Sequence, residues 1–385
     1  MGERKIPFGK PWITDAEREA VLAVLAGDVL THGPQAKAFE TEFAAFMGAG
    51  AHAVTMSSGM AALHMAYWQF GIGPGDEVIV TAQTHVATAH AVEVVGAKCV
   101  FVDCQPDGNI DPTLIEAAIT PKTRAIGIVH FLGMPCDMPA VMAIAQRHGL
   151  KVIEDCALAI GTRLQGRHAG LFGDAAIFSF YPVKHITTGD GGMFVSRHKD
   201  FADTVAKARA FGVDRSFSER TVPGMYDVPT LGLNYRLSDI NSAIGRKQLE
   251  RIATILDRRR ANFAALKAGL AGAAHLTVLD SDGANGAINS HYCLTVVLDG
   301  PLAGHRNEVV RQLNAQGVGT SVYYPHPVPR LAYYQGKYPY DPAKFPQASR
   351  ISDQSIALPV GPHLESADMN YIAESVVHIT RALSS

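Results

Sequence analysis

Lys184 lies in the segment Phe178-Ser-Phe-Tyr-Pro-Val-Lys-His-Ile-Thr-Thr-Gly-Asp-Gly-Gly192, between two apolar runs that read as strands. Phe, Tyr, Pro, Val and Ile are apolar company for an amine. Desolvation disfavours the ammonium form, lowers its pKa and exposes a nucleophilic lone pair. A Schiff-base lysine needs that environment. Glycines at 189, 191 and 192 permit positive φ and close backbone approach. Taken alone, a surface lysine in a glycine-rich turn is the better reading.

A second element is Val152-Ile-Glu-Asp155-Cys, where Asp155 ends an apolar run. Open α/β sheets place their ligands at the carboxyl ends of strands. An aspartate there suits a protonated pyridine nitrogen, the contact that turns a pyridoxal ring into an electron sink. It equally suits a helix cap. The third element is Thr55-Met-Ser57-Ser58-Gly59-Met60, which reads as strand, tight turn and helix start. A helix N-terminus offers free N–H groups and a positive dipole end to a phosphate. Ser58 as a simple cap is the plainer alternative. Ser179 could add a hydroxyl to the same phosphate. A lysine nucleophile, a pyridine-nitrogen partner and a phosphate cradle are three parts that one cofactor requires together, pyridoxal 5′-phosphate.

The elements that must position these residues alternate. Apolar runs at 53–56, 77–81, 99–103, 125–130 and 152–154 read as strands, with more at 174–180 and 192–196. Helix-length segments at 60–70, 84–95, 112–119 and 138–148 lie between them, and another follows at 201–211. Unalternating apolar strands between helices predict an α/β fold, a three-layer α/β/α arrangement around a mainly parallel sheet. Two N-terminal helices precede it, the first opened by the capping pattern Thr14-Asp-Ala-Glu17, the second by Pro34. A long helix is expected from Ser238 toward Leu270. Strands at 275–279, 292–298 and 319–324, with helices at 306–316 and 367–383, then suggest a smaller α+β C-terminal domain. The expected division is 1–250 and 251–385, with the N-terminal helices packing at the small domain or a dimer contact.

Composition narrows the function. The chain has 385 residues, 47% hydrophobic and 18% charged, the profile of an ordinary globular protein. Its 34 Lys+Arg against 36 Asp+Glu leave −2, which argues against a nucleic-acid partner. The N-terminus has no apolar run behind its charges, and no apolar stretch reaches the ~18 residues of a membrane span. The five cysteines are irregularly spaced with no CxxC, which favours a reducing cytoplasm over disulfides. No HExxH occurs, and no metal site is expected.

With these motifs in place the chain resembles the DegT/StrS family of sugar aminotransferases, of the aspartate-aminotransferase type I fold. The likeness runs almost end to end. It is densest at 57–63, Gly73-Pro-Gly-Asp-Glu-Val-Ile-Val80, 152–157, 179–192, Gly232-Leu-Asn-Tyr-Arg-Leu-Ser-Asp-Ile240 and Gln248-Leu-Glu-Arg-Ile252. The resemblance implies that Lys184 holds the cofactor as a Schiff base and that Asp155 partners its ring nitrogen. Ser58, Gly59, Met60 and Ser179 match phosphate-cradle positions. His85 matches the residue that stacks on the cofactor. Asn234 matches an asparagine that reaches the phosphate from the neighbouring subunit, which implies a homodimer with shared active sites.

The implied activity is transfer of an amino group from L-glutamate to a nucleotide-linked ketosugar. Ile186-Thr-Thr-Gly189 looks like C4-aminating members, so a 4-keto-6-deoxyhexose is expected. Asp190 in place of glutamate occurs among C3-aminating ones, which makes a 3-ketosugar the alternative. Retained Lys184 disfavours a sugar dehydratase, since dehydratase members carry histidine there. A non-catalytic, pyridoxal-responsive regulatory protein is a further alternative. Departures from the family pattern include Met60 for threonine, Leu158 for a polar residue, His85 for Phe, Tyr or Trp, and Pro329 for histidine. Arg215, Arg236 and Arg330 are candidate cations for a pyrophosphate, although each reads more simply as a surface or structural arginine.

Overall fold

The computed structural model describes residues 4–48, 50–214, 222 and 224–384. Helices α1 (Asp15–Leu25) and α2 (Pro34–Met47) come first. Strand and helix then alternate through β1 (His52–Met56), α3 (Gly59–Gln69), β2 (Glu77–Thr81), α4 (Val86–Val94), β3 (Lys98–Val102), α5 (Pro112–Ala118), β4 (Thr123–Val129), α6 (Met138–His148) and β5 (Lys151–Asp155). Two short strands, β6 (Arg163–Leu164) and β7 (Arg167–His168), precede β8 (Ala175–Ser179), β9 (Gly192–Ser196) and α7 (Lys199–Ala208).

Seven of these strands form one sheet in the order β1-β9-β8-β5-β4-β2-β3. The pairs among β3, β2, β4, β5 and β8 are parallel, and β9 runs antiparallel to both neighbours. The expected mainly parallel, three-layer architecture is what the chain adopts. Strand side chains alternate between faces. Val78, Val80, Ile153, Ile177 and Phe194 enter one core with residues of α3, α4 and α7. Their neighbours Ile79 and Val152 enter a second core with Met138, Val141 and Ile144 of α6. Met193, Val195 and Phe178 meet Phe39 and Phe43 of α2 in a third.

The predicted long helix is two: α8 (Asp239–Glu250) and α9 (Ile252–Gly269), separated at Arg251 with φ −105° and ψ 9°. A tertiary cluster holds that break. Arg251 donates to the Trp12 carbonyl at 2.9 Å and packs its guanidinium 4.8 Å from the Trp12 ring centre. Buried Glu17 accepts from Gln248 Nε2 at 2.7 Å, from the Thr14 N–H at 2.7 Å, and from Arg251. Helices α1 and α2 both lie along α8. The segment before them reaches the C-terminal part through a bridge between Ile6 and Val318.

After α9, strands β10 (Leu276–Leu279), β12 (Leu294–Leu298) and β13 (Ser355–Leu358) form an antiparallel sheet in that order. The two-residue β11 (Ala287–Ile288) joins β6 and β7 instead. Helices α10 (Arg306–Ala315), α11 (Ala332–Gln335), α12 (Pro346–Gln354) and α13 (Ser366–Ser384) complete the chain. Residues 319–324, expected as a strand, contribute only a bridge from Ser321 to Ala357. The third strand of this sheet is β13, which the sequence reading missed.

Alternation on β5 has one consequence for the site. Asp155 points to the α3–α4 face, and Glu154 to the opposite one. Glu154 is fully buried and accepts from His130 Nε2 at 2.9 Å and from the N–H groups of Gly170, Phe172 and Gly173 at 2.7, 2.8 and 2.6 Å. His130 Nδ1 accepts the Cys136 N–H at 3.1 Å, so the ring hydrogen sits on Nε2 and points at Glu154. Burial alone would raise the Glu154 pKa. The hydrogen bonds and the His130 ring outweigh it and hold the carboxyl below the ordinary range. Cys156 stands close enough to complete a metal-like trio with His130 and Glu154. The carboxylate and ring nitrogens of that trio are already committed to protein partners. Glu154→Ala should orphan four donors and lower stability by at least about 3 kcal/mol. Urea denaturation checks this, and a loss below about 1 kcal/mol contradicts the reading.

Candidate active site

Strand ends, the starts of α3 and α4, and the segments carrying Lys184 and Tyr324 converge on a cavity of about 260 Å³. Ser58, Gly59, Met60, His85, Asp155, Ser179 and Lys184 all line it. Seven of the eight expected site residues therefore meet in one place. Asn234 does not. It is exposed, bridged to Ala210 through the backbone, next to Tyr235, whose carbonyl accepts the Ser57 N–H at 2.8 Å.

Ser58 caps α3, its hydroxyl accepting the Ala61 N–H at 3.0 Å. The capping reading and the cradle reading thus hold together, because the cap aims the first N–H groups of α3 into the cavity wall. Two glycines make the turn possible. A Cβ on Gly59 would stand 3.1 Å from the Ser179 Cβ. A Cβ on Gly192 would stand 2.5 Å from the Ser58 carbonyl and 2.6 Å from the Gly59 nitrogen. β9 therefore starts beneath the Ser58–Gly59 turn only because residue 192 lacks a side chain. The result is a cradle of helix N–H groups and the Ser179 hydroxyl, of a chemistry that fits a phosphate.

Lys184 stands in the loop between β8 and β9, its N–H donating to the Tyr181 carbonyl at 2.9 Å. Its amine lies 5.5 Å from the centre of the buried Tyr292 ring. Desolvation pulls the amine down from 10.5 to about 8, although the charge of Asp155 pulls the other way. Asp155 ends β5 and accepts from the Ala157 N–H at 3.0 Å and from the Thr88 hydroxyl at 2.7 Å. Thr88 is fully buried and escaped the sequence reading, since nothing in the local pattern marks it.

His85 caps α4. Its Nδ1 accepts the Ala87 N–H at 3.1 Å, so a neutral ring carries its hydrogen on Nε2. Burial lowers its pKa, and Lys184 lowers it further. Tyr324 meets the ring edge-on at 5.5 Å and shares the cavity with Leu158, Tyr181 and Asp190. At position 158, where the resemblance implies a polar residue, Leu158 gives an apolar wall.

Other polar candidates stand outside this cavity lining. His185 is buried, and its Nε2 donates to the Ser290 carbonyl at 3.0 Å, a structural loop histidine. Arg330 pairs with Asp353, and Arg236 lies 4.9 Å from the Phe211 ring centre. Arg215 lies outside the described residues.

A family model described as the DegT/DnrJ/EryC1/StrS aminotransferase family matches residues 11–377. The chain is 37% identical over 368 residues to the dTDP-3-amino-3,4,6-trideoxy-alpha-D-glucose transaminase of Streptomyces venezuelae, covering 94% of this chain and 91% of that one. It is 35% identical over 384 residues to the spore coat polysaccharide biosynthesis protein SpsC of Bacillus subtilis, covering 98% and 97%. Among solved structures, the PLP form of Spr1654 from Streptococcus pneumoniae superposes with a TM-score of 0.92 at 27% identity, over 99% of this chain and 100% of that one.

The lowered Lys184 pKa gives a sign. The neutral amine is the nucleophile, so reactivity rises with pH until the amine is deprotonated. Covalent uptake of pyridoxal 5′-phosphate by the cofactor-free protein should accelerate with pH through a midpoint near 8 and level off above it. A rate that keeps climbing to pH about 10, as for an ordinary lysine, contradicts the desolvated site.

Proposed function

The chain belongs to the DegT/DnrJ/EryC1/StrS aminotransferase family, and on that premise we propose that it moves the amino group of L-glutamate onto a nucleotide-linked ketosugar, using pyridoxal 5′-phosphate. One observation carries the reading. An amine held near neutrality, a strand-end carboxylate and a helix-start cradle, all distant in sequence, line a single cavity.

The bound cofactor would supply an aldehyde carbon for the amino group and an electron-withdrawing ring. The residues of the chain do the rest. The Ser58–Met60 helix start and Ser179 would hold the phosphate. Asp155 would accept the ring N–H and so keep that nitrogen protonated. Lys184 would form the covalent attachment and, once released by the donor, take the proton from the donor α-carbon and return it as an acid. His85, Tyr324 and Leu158 wall the cavity. Asn234, exposed and next to Tyr235, whose carbonyl accepts from Ser57, would serve a neighbouring subunit in a homodimer. The same reading assigns residues 1–250 to the cofactor-binding unit and 251–385 to the smaller one.

The C4 expectation rests on Ile186-Thr-Thr-Gly189. There Ile186 is buried, Thr187 donates to the Phe180 carbonyl at 3.0 Å, and Thr188 donates to the Asp190 carbonyl at 2.6 Å. Asp190 itself lines the cavity, and one relative is named for a 3-amino sugar. Both observations favour C3 amination as a second reading. All five cysteines are buried and unpaired, which suits a reducing cytoplasm. No described helix is long and apolar enough to cross a membrane.

L-Glutamate should bleach the visible absorbance of the loaded enzyme, and the right ketosugar should restore it. A screen of UDP-, GDP- and dTDP-linked 3- and 4-ketosugars then separates the two positions; restoration by none overturns the sugar assignment. Lys184→Ala should abolish both turnover and the yellow absorbance, and retention of both contradicts the role. Asp155→Ala should keep much of the cofactor binding but lose at least about 100-fold in rate. Normal kinetics would remove the ring-nitrogen role.

A further inference from the structure

We infer that Thr84 and Thr88 form a two-hydroxyl relay that positions the Asp155 carboxylate for the cofactor ring, an inference that rests on the pyridoxal reading above. Thr88 Oγ1 is 2.7 Å from Asp155 Oδ2, and Thr84 Oγ1 is 2.9 Å from Thr88 Oγ1. A hydroxyl has one hydrogen to give, and an ionised carboxylate only accepts. Thr88 therefore donates to Asp155 and must accept from Thr84, which fixes the direction of the relay.

Three threonines deeper inside their helices bond locally instead. Thr41, Thr204 and Thr380 each donate to the carbonyl four residues back, at 3.0, 2.9 and 2.8 Å. That is the local bond a threonine hydroxyl ordinarily finds in a helix. Thr88, on α4, gives its hydrogen to a strand in another layer instead. Both Thr84 and Thr88 are buried, so water does not substitute for either. With the Ala157 N–H on Oδ1, each Asp155 oxygen carries one fixed bond. The carboxylate cannot swing without breaking both, and Asp155 lines the cavity. His85 caps the same turn of α4. One helix start therefore sets both the residue expected to stack on the ring and the orientation of the residue expected at the ring edge. Thr88 is a positioning residue in this account, acting through Asp155.

The test uses the full-length enzyme loaded with pyridoxal 5′-phosphate, with Thr88→Val, Thr88→Ser and Thr84→Val. Valine keeps the shape and removes the hydroxyl; serine restores it. Thr88→Val should slow the L-glutamate half-reaction by about 10- to 100-fold, the worth of a hydrogen bond to a charged group, with little change in glutamate KM. It should also shift the visible absorbance maximum of the bound cofactor. Thr88→Ser should recover both to near wild type, and Thr84→Val should show a smaller loss in the same direction. Thr88→Val indistinguishable from wild type in rate and spectrum overturns the relay while leaving the cofactor reading intact. Thr88→Ser as impaired as valine also overturns it, because only packing would then matter. A wild-type protein with no visible band on adding the cofactor would overturn the reading beneath it. If Thr88→Val does not fold, the Ser and Thr84→Val arms decide.

Discussion

Desolvation at Lys184 outweighs the pull of Asp155 on the same amine, and the rest of the site is arranged around that balance. A carboxylate beside an amine would ordinarily lock it as an ammonium ion. Here the apolar segment and the buried Tyr292 ring lower the amine far enough to make it reactive near neutral pH. The cost is a loop that must be held in shape. Thr187 and Thr188 do this through backbone carbonyls, and Asn241 of α8 donates to the Thr188 carbonyl at 2.5 Å.

The carboxylate side of the balance depends on strand geometry. Consecutive residues of β5 point to opposite faces, so Glu154 and Asp155 inherit different work. Glu154 gathers His130 and three loop N–H groups behind the sheet. Asp155, at the same strand end, is left with a wall of α4 on one side and the cavity on the other. A shift of one residue in register would exchange these roles and leave a charged group without partners.

Much of this was legible in the sequence for a physical reason. Buried parallel strands are short apolar runs, so β2, β4 and β5 stand out. Lys184, Asp155 and Ser58 sit at changeovers between elements, where function concentrates. What escaped reading depends on contacts between distant parts. Thr88 looks like any threonine in a helix until β5 is placed beside it. The break at Arg251 comes from Trp12 and Glu17, far away in the chain. Residues 319–324 have the composition of a strand, yet Tyr324 is needed at the cavity, and the pairing edge goes to β13. Asn234 has a proposed role only through resemblance, since within one chain it does not line the cavity.

The central claim is that Lys184 is the residue to which the cofactor attaches. Borohydride reduction of the loaded protein fixes that attachment, and peptide mapping by mass spectrometry locates it. The account predicts a phosphopyridoxyl group on the peptide containing Lys184 and on no other lysine. Stoichiometric modification of a different lysine, or none on a protein that binds the cofactor, would contradict it.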